Sequence, residues 1–231
     1  MMKSKMLILV YLSVSFLIMF YMPAIAETLF SENFSKGADR WEEGSGKWAV
    51  KNGEYVQETE DFFTASFLRK EFWDPAWTEY TLELKAMRLK GAEAWDIVFG
   101  IQQDNVPVVK EDRKTFFDWN IGGWTNTRSA LRKWVNGSAQ EINGTKTDHT
   151  IEMDIWYNIK IEVSPTRIVA YLNGEKAFEH NEGPPEGRIG FEMFGTSAAY
   201  DDIIVYDAGG PHAVHPDGKL AAFWGSIKLR K

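Results

Sequence analysis

The chain has 231 residues, with 33 acidic against 26 basic side chains for a formal charge of -7, and no cysteine. An acidic surface of this kind argues against nucleic acid and against anionic membrane as partners. Without cysteine there are no disulfide staples, so hydrophobic packing has to hold the fold, and ten Trp, eight Tyr and fifteen Phe supply a heavy aromatic load for it.

The chain opens with Lys3 and Lys5, an apolar run from Met6 to Met22, and the small-residue step Ala24-Ile25-Ala26 before Glu27. That is the pattern of a secretory signal peptide over residues 1–26, which implies a secreted or periplasmic protein with no membrane attachment after cleavage. An uncleaved N-terminal anchor is the alternative; the absence of a basic stop-transfer cluster favours cleavage. No Cys follows the apolar run, so a lipoprotein anchor is excluded.

From Glu27 to Asp207 the dominant period is two. In "YTLELKAM", Tyr80, Leu82, Leu84 and Ala86 alternate with Thr81, Glu83 and Lys85; in "YNIKIEV", Tyr157, Ile159, Ile161 and Val163 alternate with Asn158, Lys160 and Glu162. Each reads as a strand with one buried and one wet face. Further strands are predicted at residues 63–70, 95–102, 115–121, 130–135, 188–194 and 198–206. Asn173-Gly174 in "RIVAYLNGEKAFE" supplies the positive-φ pair that a type I′ hairpin turn requires, and Asn52-Gly53 makes a similar turn. No amphipathic helix of any length interrupts the pattern. The reading is all-β, a two-sheet antiparallel jelly-roll sandwich over residues 27–208, with its first and last strands paired. Gly209, Gly210 and Pro211 break the pattern, and residues 209–231 form a C-terminal tail.

For catalysis the sharpest segment is "EMDIW", Glu152 to Trp156. On a strand, Glu152 and Asp154 share a face, and a retaining glycosidase needs two carboxyls roughly 5–5.5 Å apart. The third carboxylate that would complete such a motif is absent, with Trp156, Tyr157 and Asn158 in its place. The chain also lacks a G-x-S-x-G elbow, a phosphate-binding loop and a dinucleotide fingerprint. His212 and His215 have a metal-compatible spacing but no clear further ligands.

Binding is better supported. In "WDIVFGIQQDN", Asp96 leaves the face of Trp95, Ile97 and Phe99; in "FFDWNIGGWTNT", Asp118 and Asn120 leave the face of Phe117, Trp119 and Ile121. Carboxylates and amides bond vicinal hydroxyls, and Trp124, just after Gly122-Gly123, is placed to stack on a sugar ring at a strand end. Asp96, Asp118, Trp119, Asn120, Trp124 and Asn126 are therefore the candidate ligand-binding residues. Trp119 is read as core in preference to ligand contact, and Trp124 as either a platform or a packing residue. A structural Ca²⁺ joining the first and last strands would draw on Glu32, Asp201 and Asp202; solvent-facing charge is the alternative.

The segments from Tyr80 to Asn105, Phe116 to Gly137 and Trp156 to Glu179 resemble the accessory β-sandwich domain of bacterial α-L-arabinofuranosidases, a member of the concanavalin A-like lectin/glucanase superfamily. The most specific part is Trp119-Asn-Ile-Gly-Gly-Trp-Thr-Asn-Thr127. The resemblance covers about Leu29 to Asp207 and implies a sugar-binding or structural accessory role, without the catalytic barrel. The expectation is a monomeric, secreted, non-catalytic module that recognises polysaccharide. A glycosidase of the same fold and a structural module of an extracellular assembly remain the alternatives.

Overall fold

The computed structural model describes residues 27–93 and 95–207; the signal peptide expected over residues 1–26 and the expected tail over 209–231 lie outside the described residues. Fifteen strands follow in chain order: β1 Thr28–Glu32, β2 Trp41–Ser45, β3 Trp48–Lys51, β4 Glu54–Gln57, β5 Thr64–Leu68, β6 Tyr80–Gly91, β7 Trp95–Ile101 and β8 Phe116–Gly122. They continue with β9 Arg128–Val135, β10 Ser138–Glu141, β11 Trp156–Ser164, β12 Arg167–Leu172, β13 Glu175–His180, β14 Arg188–Met193 and β15 Thr196–Tyr206. An eight-stranded sheet runs β13-β12-β11-β6-β15-β4-β3, with β1 also on β15, and a seven-stranded sheet runs β10-β9-β8-β7-β14-β5-β2. All strand pairs are antiparallel.

The sandwich core follows from the two-residue period. Leu82, Leu84 and Ala86 on β6 and Ile159, Ile161 and Val163 on β11 meet Trp95, Ile97, Phe99, Phe117, Trp119, Ile121 and Phe191 from the facing sheet. Aromatic contacts knit the layers: Phe191 stacks on Tyr200 at 3.9 Å, and Trp119 meets Phe178 edge-on at 5.5 Å. The two Asn-Gly turns hold the required positive φ at Asn52, Gly53, Asn173 and Gly174. A third, Asn136-Gly137, joins β9 to the short strand β10, which the sequence reading had not assigned.

The two sheets differ on their outer faces. On the eight-stranded sheet the residues between the core positions, such as Glu83, Lys85 and Lys160, stay partly exposed as the alternation implied. On the seven-stranded sheet, β7, β8 and β14 are buried on both faces. The 102–115 segment accounts for part of this cover. It brings Val106 into a second apolar cluster with Ala65, Phe67, Val98, Phe116 and Trp134.

The closing strand β15 serves two partners along one edge. Ala198 to Tyr200 pair with β4, while Ile203 to Tyr206 pair with β1, and between them the register against β6 slips by one residue. That bulge leaves Asp202 at φ 50°. The predicted pairing of first and last strands is present, although the bulge was not foreseen.

Replacing Trp119 with Ala empties a fully buried site. We expect a loss of about 3–5 kcal/mol in unfolding free energy, measured by urea titration. A loss below about 1 kcal/mol would contradict its place in the core.

Candidate functional site

Period two on β7, β8, β9 and β14 sends one row of polar side chains to the outer face of the seven-stranded sheet. The register sets Glu192 opposite Asp96, Asp96 opposite Asn120, and Asp118 opposite Arg132. Arg132 is the centre of the group. Its Nε donates to Asp118 Oδ1 at 2.9 Å, and its Nη2 donates to Asp118 Oδ2 and Asp96 Oδ2, both at 2.6 Å. Trp134 Nε1 donates to Asp118 Oδ2 at 2.7 Å. Asn120 Nδ2 donates to Asp96 Oδ1 at 2.5 Å, while its own Oδ1 has no hydrogen-bond partner among the described residues.

A second arginine closes the group from above. Arg113 comes from the 102–115 segment, and its Nε donates to both Glu192 oxygens, at 2.9 and 3.1 Å. Its guanidinium lies over the rings of Trp134, Phe63 and Phe194, at 3.9, 4.2 and 4.9 Å. The carboxylates are sealed: Asp96 is 1% exposed, and Asp118 and Glu192 are 0%. Only Arg132 reaches outward, with 13% of its side chain exposed. Its Nη1 takes no part in the carboxylate bonds.

Three carboxyls and two guanidiniums leave one negative charge uncompensated if all are ionised. Burial pushes Asp96 up to about 8; Arg132 opposes the rise and Asp118 adds to it. Burial likewise lifts Glu192 to about 7 against the pull of Arg113. Arg132 resists the cost of its own burial because Asp118 and Asp96 hold its charge. The group is thus closest to neutral when it retains a proton.

Beyond Asn120 the strand ends in an unusual turn. Gly122 has φ 63°, and Trp124, Thr125 and Asn126 then have φ of 50°, 59° and 59°, all left-handed. Left-handed backbone costs roughly 1–2 kcal/mol for each such residue, so other contacts hold it. Asn126 binds Ile151 twice, from Nδ2 to the carbonyl at 2.9 Å and from the Ile151 N–H to Oδ1 at 2.8 Å. Thr127 N–H donates to the Gly123 carbonyl at 3.1 Å, and its hydroxyl donates to the Trp124 carbonyl at 2.8 Å. Gly123 lies so close to Asn120 that a Cβ there would meet the amide oxygen at 1.8 Å. Trp124 is half-buried, with the Arg128 guanidinium 3.8 Å from its ring centre and Arg128 itself paired to Glu141 at 2.9 Å.

The candidate binding residues therefore divide. Trp119 is core. Asp96, Asp118 and Asn120 do come together, but in a closed charge network, not on an open groove floor. Trp124 and Asn126 stand at the strand end, where both keep partial exposure. The sequence reading missed Arg113, Arg132 and Glu192, although charged residues inside "ALRKW" and "GFEMF" were a visible signal. It also missed the aromatic rim of this face: Phe62 is 75% exposed and meets Phe194 edge-on at 5.5 Å.

Glu152 and Asp154 are both exposed in an irregular segment, with Asp154 at φ 60°, so the shared strand face expected of them is not formed. They stand on open surface. The sealed carboxyls Asp96, Asp118 and Glu192 offer no access to a glycosidic oxygen either.

One oxygen from each of Asp96, Asp118 and Glu192 lies within 4.8 Å of the others, close enough together to hold a metal ion. The two arginines, however, already occupy these oxygens, and Ca²⁺ wants six to eight oxygens of its own. Glu32, Asp201 and Asp202 do not converge in this way. Glu32 takes the amides of Asn33 and Phe34 on Oε1, at 3.1 and 3.0 Å, and Arg40 on Oε2, at 2.6 Å. Asp202 pairs with Lys85 at 2.6 Å. Arg40 and Lys85 thus serve Glu32 and Asp202, while Asp201 Oδ1 is buried with no hydrogen-bond partner among the described residues.

No family model matches the chain. Over 150 residues it is 33% identical to an extracellular exo-α-L-arabinofuranosidase of Streptomyces chartreusis; the match takes in 64% of this chain and 16% of that protein, so the chain spans about a sixth of the length of this relative. Among solved structures it resembles the carbohydrate-binding module CBM66 from Bacillus subtilis, with TM-score 0.58 and 16% identity over 72% of this chain and 94% of that one. The Emp46p carbohydrate recognition domain gives 0.57 and 11%, over 80% and 99% of the two chains. The family GH16 endo-β-1,3(4)-glucanase SCLam gives 0.56 and 10%, over 80% and 92%. The protein has the concanavalin A-like lectin/glucanase β-sandwich fold, which carbohydrate-binding modules, lectins and glycosidases share.

Two predictions follow from the network. The folded protein holds protons on Asp96 and Glu192 that an unfolded chain releases above about pH 4. Their stabilising contribution is present at acid pH and lost as pH rises through the folded values near 8 and 7. Unfolding free energy should therefore fall between about pH 5 and about pH 8, by up to about 1.4 kcal/mol per unit for each retained proton, and fall less in Asp96→Asn. Profiles of equal slope in the two proteins would contradict this. Separately, millimolar Ca²⁺ or a chelator should leave Tm within about 1 °C. An ion bound at a hundredfold over its Kd adds about 2.7 kcal/mol, enough for a rise of several degrees that would restore the metal.

Proposed function

We propose that this protein is a secreted, non-catalytic carbohydrate-binding module that takes polysaccharide at the outer face of the seven-stranded sheet, with Trp124 as its principal stacking platform. The observation that carries the reading is the turn itself. Three consecutive non-glycine residues sit in left-handed backbone and hold a partly exposed indole. Such strain persists only where surrounding contacts over-determine it, and it concentrates at ligand sites. Asn126 and Arg128 brace the ring before any ligand arrives, which reduces the ordering cost of binding. The C–H faces of a sugar ring pack well on such an aromatic surface.

Two further findings support the reading. Relatives of this fold include a carbohydrate-binding module and a carbohydrate recognition domain, and the curated relative is an extracellular enzyme acting on a carbohydrate. Phe62 and Phe194, above Arg132 on the same face, offer a second pair of rings to a longer chain.

Saturable binding to at least one polysaccharide is expected on a glycan array or in affinity electrophoresis. Trp124→Ala should weaken it about tenfold or more, the effect of roughly 1.4 kcal/mol, while Trp124→Phe retains most of it. A folded protein that binds no glycan would sink the proposal.

A further inference from the structure

The opposite face of the sandwich carries a separate feature. On the outer side of the eight-stranded sheet lies a cavity of about 210 Å³ whose walls include Glu83, Lys85, Asn158, Lys160, Tyr171 and Asp202. A pocket of that volume suits a ligand on the scale of one sugar ring and not an oligosaccharide.

The lining has a consistent chemistry. Ile204 forms apolar floor: it is 3% exposed yet lies outside the main core, whose members on this strand are Ala198, Tyr200, Ile203 and Val205. Tyr171 gives a partly exposed aromatic wall, with Lys160 Nζ 5.2 Å from its ring centre. Around these, donors and acceptors alternate. The register places Lys160 opposite both Glu83 and Tyr171, and Asn158 opposite Lys85. Lys85 pairs with Asp202 at 2.6 Å, and Glu83 accepts from the Tyr206 hydroxyl at 2.7 Å. Lys85 is paired to Asp202, and Lys160 to Glu162 at 2.8 Å, so both ammonium groups are already neutralised and an anionic ligand would have to displace an existing pair. A vicinal diol, which both donates and accepts, matches such alternation.

The backbone adds an independent sign. Asp202 is held at φ 50° inside a strand, at the bulge where β15 changes partner from β4 to β1. Bulges re-aim side chains and are enriched beside functional sites. Here the extra residue brings the Asp202 carboxylate to the cavity.

We propose that this cavity is a second binding site, for a single neutral sugar unit, and that the protein is therefore bivalent, with glycan sites on opposite faces of the sandwich. This rests on the carbohydrate reading above. Two sites on opposite faces cannot both follow one stiff chain, so bivalency would join two polysaccharide strands and raise avidity on an insoluble matrix.

The test is isothermal titration of the full chain with a short neutral oligosaccharide cut from whichever polysaccharide it binds. Two sites per chain are expected. Tyr171→Ala and Asp202→Asn, each checked for an unchanged unfolding transition, should leave one site; Trp124→Ala should leave the other; Tyr171→Ala combined with Trp124→Ala should leave none. A stoichiometry of one that Trp124→Ala abolishes, and that Tyr171→Ala leaves alone, overturns the second site but keeps the carbohydrate reading. No binding by the unaltered chain overturns both.

Discussion

The arrangement of the seven-stranded sheet depends on one guanidinium set over buried carboxyls. Arg132 lies between Asp118 and Asp96, two carboxyls that have lost contact with water, and its single charge is shared between them while burial favours a retained proton on Asp96. Removing one partner from a buried pair typically costs about 3–5 kcal/mol, because the other charge is left uncompensated. With Arg132 in place, Trp134 is anchored to Asp118, and Arg113 can close over Glu192 among three aromatic rings. The outer face becomes a rigid, sealed surface. Through Asp96 and Asn120 that surface reaches Gly123, whose close approach starts the turn that carries Trp124. Under the proposed function, the Trp124 ring is positioned by a charge network whose sealed carboxyls stay out of reach of the ligand.

This separates scaffold from site. A sandwich of this fold serves binding proteins and hydrolases alike, so the fold does not choose between them. The choice lies in which carboxyls can be reached. The converging ones, Asp96, Asp118 and Glu192, are sealed beneath two arginines, and the pair singled out in the sequence, Glu152 and Asp154, stands on open surface. What remains exposed at the strand end is aromatic and amide, suited to recognition.

Much of the fold was legible in the sequence. Period two located β6 and β11 and told core from outer face. Asn-Gly pairs marked the hairpins, and the opening and closing strands do pair. Trp119 was read inward and Trp124 at a strand end, because alternation and a Gly-Gly step are local signals. The same logic went wrong at Asp96, Asp118 and Asn120. Their outward direction was right, but an outward residue is not an open one. Whether it is covered depends on Arg132 and Glu192 on neighbouring strands and on Arg113 from an irregular segment. The bulge at Asp202 was equally hidden, since it reflects a change of strand partner that no local pattern encodes. Calcium was read from acidic residues near the ends of the sheet; Arg40 and Lys85 pair with two of these, and the carboxyls that converge closely enough to hold a metal are Asp96, Asp118 and Glu192 instead.

The central claim is that Trp124 meets the glycan while the network beneath it does not. The ten tryptophans give separate indole N–H signals in a nitrogen–proton correlation spectrum. On titration with a bound oligosaccharide, the account predicts that the Trp124 indole and the amides of residues 124–127 shift, while the indoles of Trp95 and Trp119 stay in place. Shifts confined to the segment around Glu152 to Ile155, with Trp124 unmoved, would contradict it.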